Sequence, residues 1–126
     1  MRFKSIQRLC AGLLGLLAIS PAQAWTSDDT LWQSAYLTAH VADWGQTRDI
    51  AAHCDSTGKY YEVNPILGSC PSTGAVNTYF LSTAILHTGA AYMMPRKYRR
   101  MFQVGTLGMQ MNFVNSNKQI GLKFNF

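Results

Sequence analysis

The first 24 residues set the terms for everything that follows. Arg2, Lys4 and Arg8 make a positive start, Leu9 to Ile19 is an apolar run, and Pro21-Ala22-Gln23-Ala24 ends in the small-x-small pattern that signal peptidases cut. This pattern predicts a secretory signal peptide, with the working protein beginning at Trp25 outside the cytoplasm. Removing residues 1–24 from 126 leaves 102, enough for one small domain with a modest core and too few for two. The leader also takes three of the eleven basic residues with it. Eight then face six acids, and a net charge of about +2 does not support nucleic-acid binding as the full-length +5 would.

Cys10 sits in the apolar run, lacks the small residues of a lipoprotein cleavage box ahead of it, and is expected to leave with the leader. Cys54 and Cys70 remain, separated by 15 residues rich in turn formers. An even cysteine count in an exported chain predicts a disulfide between them. Closing a loop of that length contributes roughly 3 kcal/mol in the chain-entropy model, which is a large share for so small a domain. Zinc spacing, whether of four cysteines or of Cys and His, is absent.

From Thr26 to about His53 the chain reads as a helix. Thr26 or Ser27 can cap it, Asp28 and Asp29 suit the dipole of the first turn, and no proline interrupts it. Leu31, Ala35, Leu37, Val41, Ala42 and Trp44 gather toward one side, the side expected to pack. The opposite stripe is polar, with Tyr36, His40, Asp43 and Thr47 at offsets of 4, 3 and 4 and Gln46 beside them. Gly45 costs a helix about 1 kcal/mol relative to Ala and marks a place where another element can approach closely.

Residues 54–74 read as a loop, with a short turn of structure at Tyr60 to Leu67, where Asn64-Pro65 sets the turn. Ser72 or Thr73 can then cap a second helix, from about Ala75 to Met94, that Pro95 stops. It is apolar over most of its circumference and long enough to span a bilayer, yet Asn77, Thr78, Ser82, Thr83, His87 and Thr88 make insertion marginal. Arg96, Lys97, Arg99 and Arg100 form a basic cluster suited to a membrane interface. Beyond it, Met101, Val104, Leu107 or Gly108, and Met111 predict a helix to about Val114, then a turn at Asn115-Ser116-Asn117-Lys118 and an extended tail. Alternation at Met109, Met111, Phe113, Ile120, Leu122, Phe124 and Phe126 keeps a β-hairpin open there. A single-chain outer-membrane barrel needs more strands than 102 residues with two helices can supply.

A periplasmic mature N-terminus constrains topology. If the first helix crossed the inner membrane, Cys54 and Cys70 would meet the reducing cytoplasm, and a second crossing would place the basic cluster outside. Two arrangements avoid both problems. Either residues 75–94 cross inward, with the basic cluster at the cytoplasmic face and the return of residues 101–116 left open, or nothing crosses and the domain is periplasmic.

His40-x-x-Asp43 puts an imidazole and a carboxylate on one helical face, which Glu62 and His87 can approach if the second helix packs there. Such a set would suit a divalent metal with one acid left as a base; alternatively the same groups satisfy one another in a polar seam between helices. No nucleophile elbow, H-E-x-x-H, phosphate loop or Cys-His pair occurs. Asp43 with Arg48 or Gln46 reads as a helix-surface or interhelix contact and not as an acid/base pair. The methionines read as packing. Trp25, Trp32, Trp44, Tyr60, Tyr61 and Tyr98 suit either interfacial anchors or a core.

Asp43-Trp44-Gly45-Gln46-Thr47-Arg48, then Tyr60-Tyr61-Glu62-Val63-Asn64-Pro65-Ile66-Leu67-Gly68, with the later helical His87 and Ile120-Gly121-Leu122, resemble a group of small uncharacterised exported or membrane proteins of Gram-negative bacteria and their prophages. The resemblance implies a mostly helical envelope protein and no particular activity. It gathers Asp43, Gln46, Thr47, Glu62, Asn64 and His87 into one candidate polar cluster, to which His40 belongs by spacing. The expectation is therefore a mainly α protein of two to three packed helices with a disulfide-closed loop. It would act by binding an envelope partner or the inner membrane, without cofactor, as an immunity or phage-exclusion factor would. A metal-binding or hydrolytic protein and a structural subunit of a membrane complex are the alternatives.

Overall fold

The computed structural model describes residues 24–54 and 60–126, which fold into three helices and, among the described residues, no strand. The expected leader, residues 1–24, lies outside the described residues except for Ala24, and Cys10 lies outside them too. Helix α1 is Ser27–His53, α2 is Thr73–Met93 and α3 is Arg96–Gln119. α1 packs along both other helices, whereas α2 and α3 touch each other sparingly beyond the short link at Met94-Pro95.

α1 starts in a capping box. The Thr26 hydroxyl accepts from the Asp29 amide at 3.2 Å, and Asp29 Oδ2 accepts in return from the Thr26 amide at 2.9 Å. In α2, Ser72 Oγ accepts from the Ala75 amide at 3.1 Å. α3 begins with no side-chain cap and with a basic first turn, against the sense of its own dipole.

Arg99 explains that start. Its guanidinium folds back onto the end of α2, Nε donating to the Ala91 carbonyl at 2.8 Å and Nη2 to those of Tyr92 and Met94 at 3.3 and 3.1 Å. Nη1 donates to Asp29 Oδ2 at 2.8 Å. One side chain thus satisfies carbonyls that a helix end leaves orphaned and ties the start of α1 to the start of α3. Arg99 is 1% exposed, so it does not belong to a membrane-interface cluster with Arg96, Lys97 and Arg100. Arg96 and Lys97 are exposed, while Arg100 pairs with Asp28 at 3.1 Å on the surface. The Asp29–Arg99 pair also places the starts of α1 and α3 at one end, so α1 cannot stay on one side of a membrane while the basic cluster lies on the other. Among the described residues, no helix is long and apolar enough to cross a membrane.

The third helix does not end at Val114. It continues through Asn115–Lys118, so neither the expected turn nor the hairpin forms. The stop lies at Gly121, whose φ of +91° suits glycine. Gly121 N–H donates to the Lys118 carbonyl and Leu122 N–H to that of Asn117, and Leu122 is buried, as in a Schellman motif. Residues 122–126 then lie against α1: Lys123 N–H donates to Asp49 Oδ2, and Asn125 N–H to the Gly45 carbonyl. A Cβ at Gly45 would sit 2.6 Å from the Phe126 ring, so the close approach expected there is made by Phe126.

The largest departure from expectation concerns which faces are inside. The buried line of α1 is Asp29, Gln33, Tyr36, His40, Thr47 and Ile50, with Asp43 half-buried among them, while Leu31 and Val41 are exposed. On α3 the inward line is Arg99, Gln103, Thr106, Gln110 and Asn117, while Met101 (67% exposed), Val104 and Met111 face outward. The α1 line steps by alternating offsets of 4 and 3, the spacing of a helix–helix seam, and the α3 line follows it to Gln110 and regains it at Asn117, with the exposed Phe113 at the intervening position. The packed side is therefore the polar one in both helices. The physical reason is mutual hydrogen bonding: Gln103 Nε2 donates to the Asp29 carbonyl at 3.0 Å and Gln33 Oε1 at 3.3 Å, and further pairs follow along the seam. Buried polar groups are tolerable when paired in this way. Outside, α2 and α3 present Leu81, Ile85, Leu86, Val104 and Met109.

Candidate functional site

A cavity of about 460 Å³ opens where the three helices diverge and residues 62–67 close over them. α1 contributes Tyr36, His40, Asp43 and Thr47; α2 contributes Tyr79, Phe80 and Thr83; α3 contributes Gln110, Phe113 and Asn117. The loop supplies Glu62, Val63, Asn64, Pro65 and Leu67.

The loop is built by local hydrogen bonds. Asn64 Oδ1 accepts from the Ile66 amide at 3.0 Å, and its carbonyl accepts from the Leu67 and Gly68 amides at 3.1 Å, an Asx turn leading into a tight bend. Gly68, at φ +75°, takes the left-handed conformation that completes it. Glu62 spans the loop, Oε1 accepting from the Asn64 amide at 2.8 Å while its own amide donates to the Ser69 carbonyl at 2.9 Å. A disulfide joins Cys54 to Cys70, with Cα atoms 5.6 Å apart, and fastens the loop to the end of α1.

Asp43 is the centre of the site. Oδ2 accepts from Gln110 Nε2 at 2.6 Å and Oδ1 from Asn117 Nδ2 at 2.9 Å, so two amides of α3 hold the carboxylate in one orientation. Burial pushes its pKa up to about 6, the negative charge of Glu62 adds to that, and the two amides and His40 oppose it. Above Asp43, His40 Nε2 lies 3.0 Å from the Phe80 carbonyl, an acceptor, which makes that nitrogen the donor. Its Nδ1 lies 3.4 Å from Gln110 Oε1, and Tyr36 stacks on its ring. Burial raises the Tyr36 phenol to about 12, with Tyr79 and Asp43 adding, so the phenol is neutral at physiological pH.

His87 stands behind this wall and does not line the cavity. Its ring lies between Tyr36, at 3.5 Å between centroids, and Phe102, at 4.4 Å. Gln33 Nε2 donates to Nδ1 at 3.2 Å, and Nε2 donates to the Thr106 hydroxyl at 2.8 Å, whose own proton goes to the Phe102 carbonyl. That arrangement fits a neutral imidazole. Burial, with the charge of His40 in the same direction, lowers its pKa to about 4.

Of the residues expected to form one polar cluster, His40, Asp43, Thr47, Glu62 and Asn64 meet at the cavity. Gln46 instead faces α3, donating to the Val114 carbonyl at 3.2 Å, and His87 touches the cavity only through Tyr36. Arg48 makes no helix-surface pair with Asp43; it donates to Asn77 Oδ1 at 2.8 Å and to the Asn125 carbonyl at 3.0 Å, and Trp44 donates to the same Asn77 oxygen. Among the described residues, no three His, Cys, Asp or Glu side chains gather closely enough to hold a metal ion, so His40, Asp43, Glu62 and His87 do not form one. Sequence reasoning missed Tyr79, Phe80, Thr83, Gln110, Phe113 and Asn117. The signal was present: Arg99, Gln103, Thr106, Gln110, Phe113 and Asn117 repeat the 4-and-3 spacing of the polar stripe on α1.

No protein-family model, curated protein or solved structure matches the chain.

Proposed function

We propose that this chain is a small exported envelope protein that acts by binding, with the cavity beside Asp43 as its ligand site. The observation that carries the reading is the way Asp43 is held. Its two oxygens are fixed by Gln110 and Asn117, which suits a group that presents charge in one direction better than one that must turn to take and deliver protons. The cavity size lies in the range of small-ligand pockets, and aromatic walls with a few placed polar groups are the usual lining of such sites. The leader pattern and the Cys54–Cys70 disulfide support an oxidising, extracytoplasmic compartment. The outward apolar residues of α2 and α3 support contact with the inner membrane or an envelope partner. An immunity or exclusion role is one form that such binding can take.

Photo-crosslinking in cells tests this. A photoreactive residue replaces Val63 at the cavity mouth, or Thr38 on the exposed side of α1, in the chain expressed with its leader. Discrete adducts from position 63, lost when Phe113→Ala is added and absent from position 38, are expected. Identical behaviour at the two positions would contradict the reading.

A further inference from the structure

Two carboxylates, Asp43 and Glu62, border the cavity, and among the described residues neither Lys nor Arg lines it. Arg48, further along α1, is engaged by Asn77 and Asn125. Aromatic rings complete the wall, including Tyr36, Tyr79 and Phe113. His40 is the one base among the described lining residues, so two carboxylates share at most one imidazole. Partly buried carboxylates short of counter-charge are costly, and aromatic faces attract cations. Resting on the reading of the cavity as a binding site, we propose that its ligand is an organic ammonium, a primary amine carried on an apolar or aromatic body. The ammonium sits between Asp43 and Glu62, where it supplies the counter-charge that one imidazole cannot give to two carboxylates, and the body lies against Phe113 and Tyr79. A free small amine and a lysine side chain on a partner share this chemistry. An inorganic divalent cation does not fit, because the ligand-type side chains do not converge on one point. Deprotonated Asp43 is the binding form, and burial together with Glu62 raises its pKa only to about 6, so that form predominates at the pH of the test.

The test uses the oxidised mature chain, titrated at about pH 7.5 by calorimetry and by amide chemical shifts, with melting curves for every variant. The probes are phenethylamine, its neutral isostere 2-phenylethanol, and a blocked peptide with one lysine. Saturable binding of phenethylamine or of the lysine peptide is expected, with shifts centred on Asp43 and Glu62; whichever binds more tightly identifies the source. The alcohol should bind at least about tenfold more weakly than the amine. Glu62→Gln keeps the acceptor for the Asn64 amide and should weaken amine binding about fivefold without affecting the alcohol. Phe113→Ala should weaken both. Equal affinity for amine and alcohol, or no amine binding by a chain whose position 63 still crosslinks in cells, would overturn the ammonium assignment and leave the cavity a binding site. Absence of both probe binding and crosslinks would overturn both readings.

Discussion

Replacing Asp43 by Asn should stabilise the folded chain at neutral pH and destabilise it in acid. The carboxyl has a pKa of about 6 in the fold against 3.8 for the free group, because burial and the Glu62 charge disfavour ionisation. The raised value means that between pH 3.8 and about 6 the folded chain retains a proton that the unfolded chain has released. Stability from this group therefore falls as pH rises through that window. A shift of about two units corresponds to roughly 3 kcal/mol, and partial exposure reduces the usable part to about 2 kcal/mol. Asn carries no charge but cannot accept from both Gln110 and Asn117 without one of those amides turning, a cost of about 1 kcal/mol. The net effect is a gain of about 1 kcal/mol at about pH 7.5, or roughly 4–8 °C in Tm for a domain of this size. At about pH 4, where folded wild-type Asp43 is already neutral, only the cost of about 1 kcal/mol remains. Thermal melts of both chains at the two pH values read this directly. A loss of equal size at both pH values would refute the argument that burial strains the carboxylate.

Three other perturbations probe the rest of the seam. His87, held at about 4 by burial, stays neutral in the fold while the unfolded chain protonates near 6.5, so its contribution is lost as pH falls from 6.5 toward 4. His87→Gln should remove that acid sensitivity, roughly 3 kcal/mol at most, in urea unfolding at about pH 7 and pH 4.5; an unchanged difference between the two would contradict it. Arg99→Met should cost about 3–5 kcal/mol, because it strands the Asp29 carboxylate and uncaps the end of α2, and adding Asp29→Asn should restore part of that loss in the same assay. Reducing the Cys54–Cys70 bridge should lower stability by about 3 kcal/mol and loosen residues 60–70, read by hydrogen exchange, with little change around Arg99.

The helix ends were legible in the sequence where a cap or a breaker is local. Thr26 with Asp29 and Ser72 mark two starts, and Pro95 divides α2 from α3. The pairing of Cys54 with Cys70 and the need for space at Gly45 could also be read, because each depends on one or two residue types. The inward faces could not be read from hydrophobic periodicity, since that rule presumes an apolar seam. Here Gln33, His40, Gln103 and Gln110 are stabilised by partners on other helices, among them one another, a relation between segments some 70 positions apart in sequence. The same limit explains α3: Asn115 to Lys118 have turn-like composition, but Asn117 is held helical by its bond to Asp43. Half of the site was visible as the stripe Tyr36, His40, Asp43 and Thr47. The other half lies on elements whose register depends on that stripe.

The inward polar seam is the claim on which the cavity and its chemistry depend, and a nitroxide scan along α3 from Met101 to Asn117 tests it. Oxygen collision rates in the oxidised mature chain should oscillate with helical period and reach minima at Gln103, Thr106, Gln110 and Asn117, with maxima at Met101, Val104 and Met109. Minima at Met101, Val104, Gly108 and Met111 would place the apolar face inside and contradict the account.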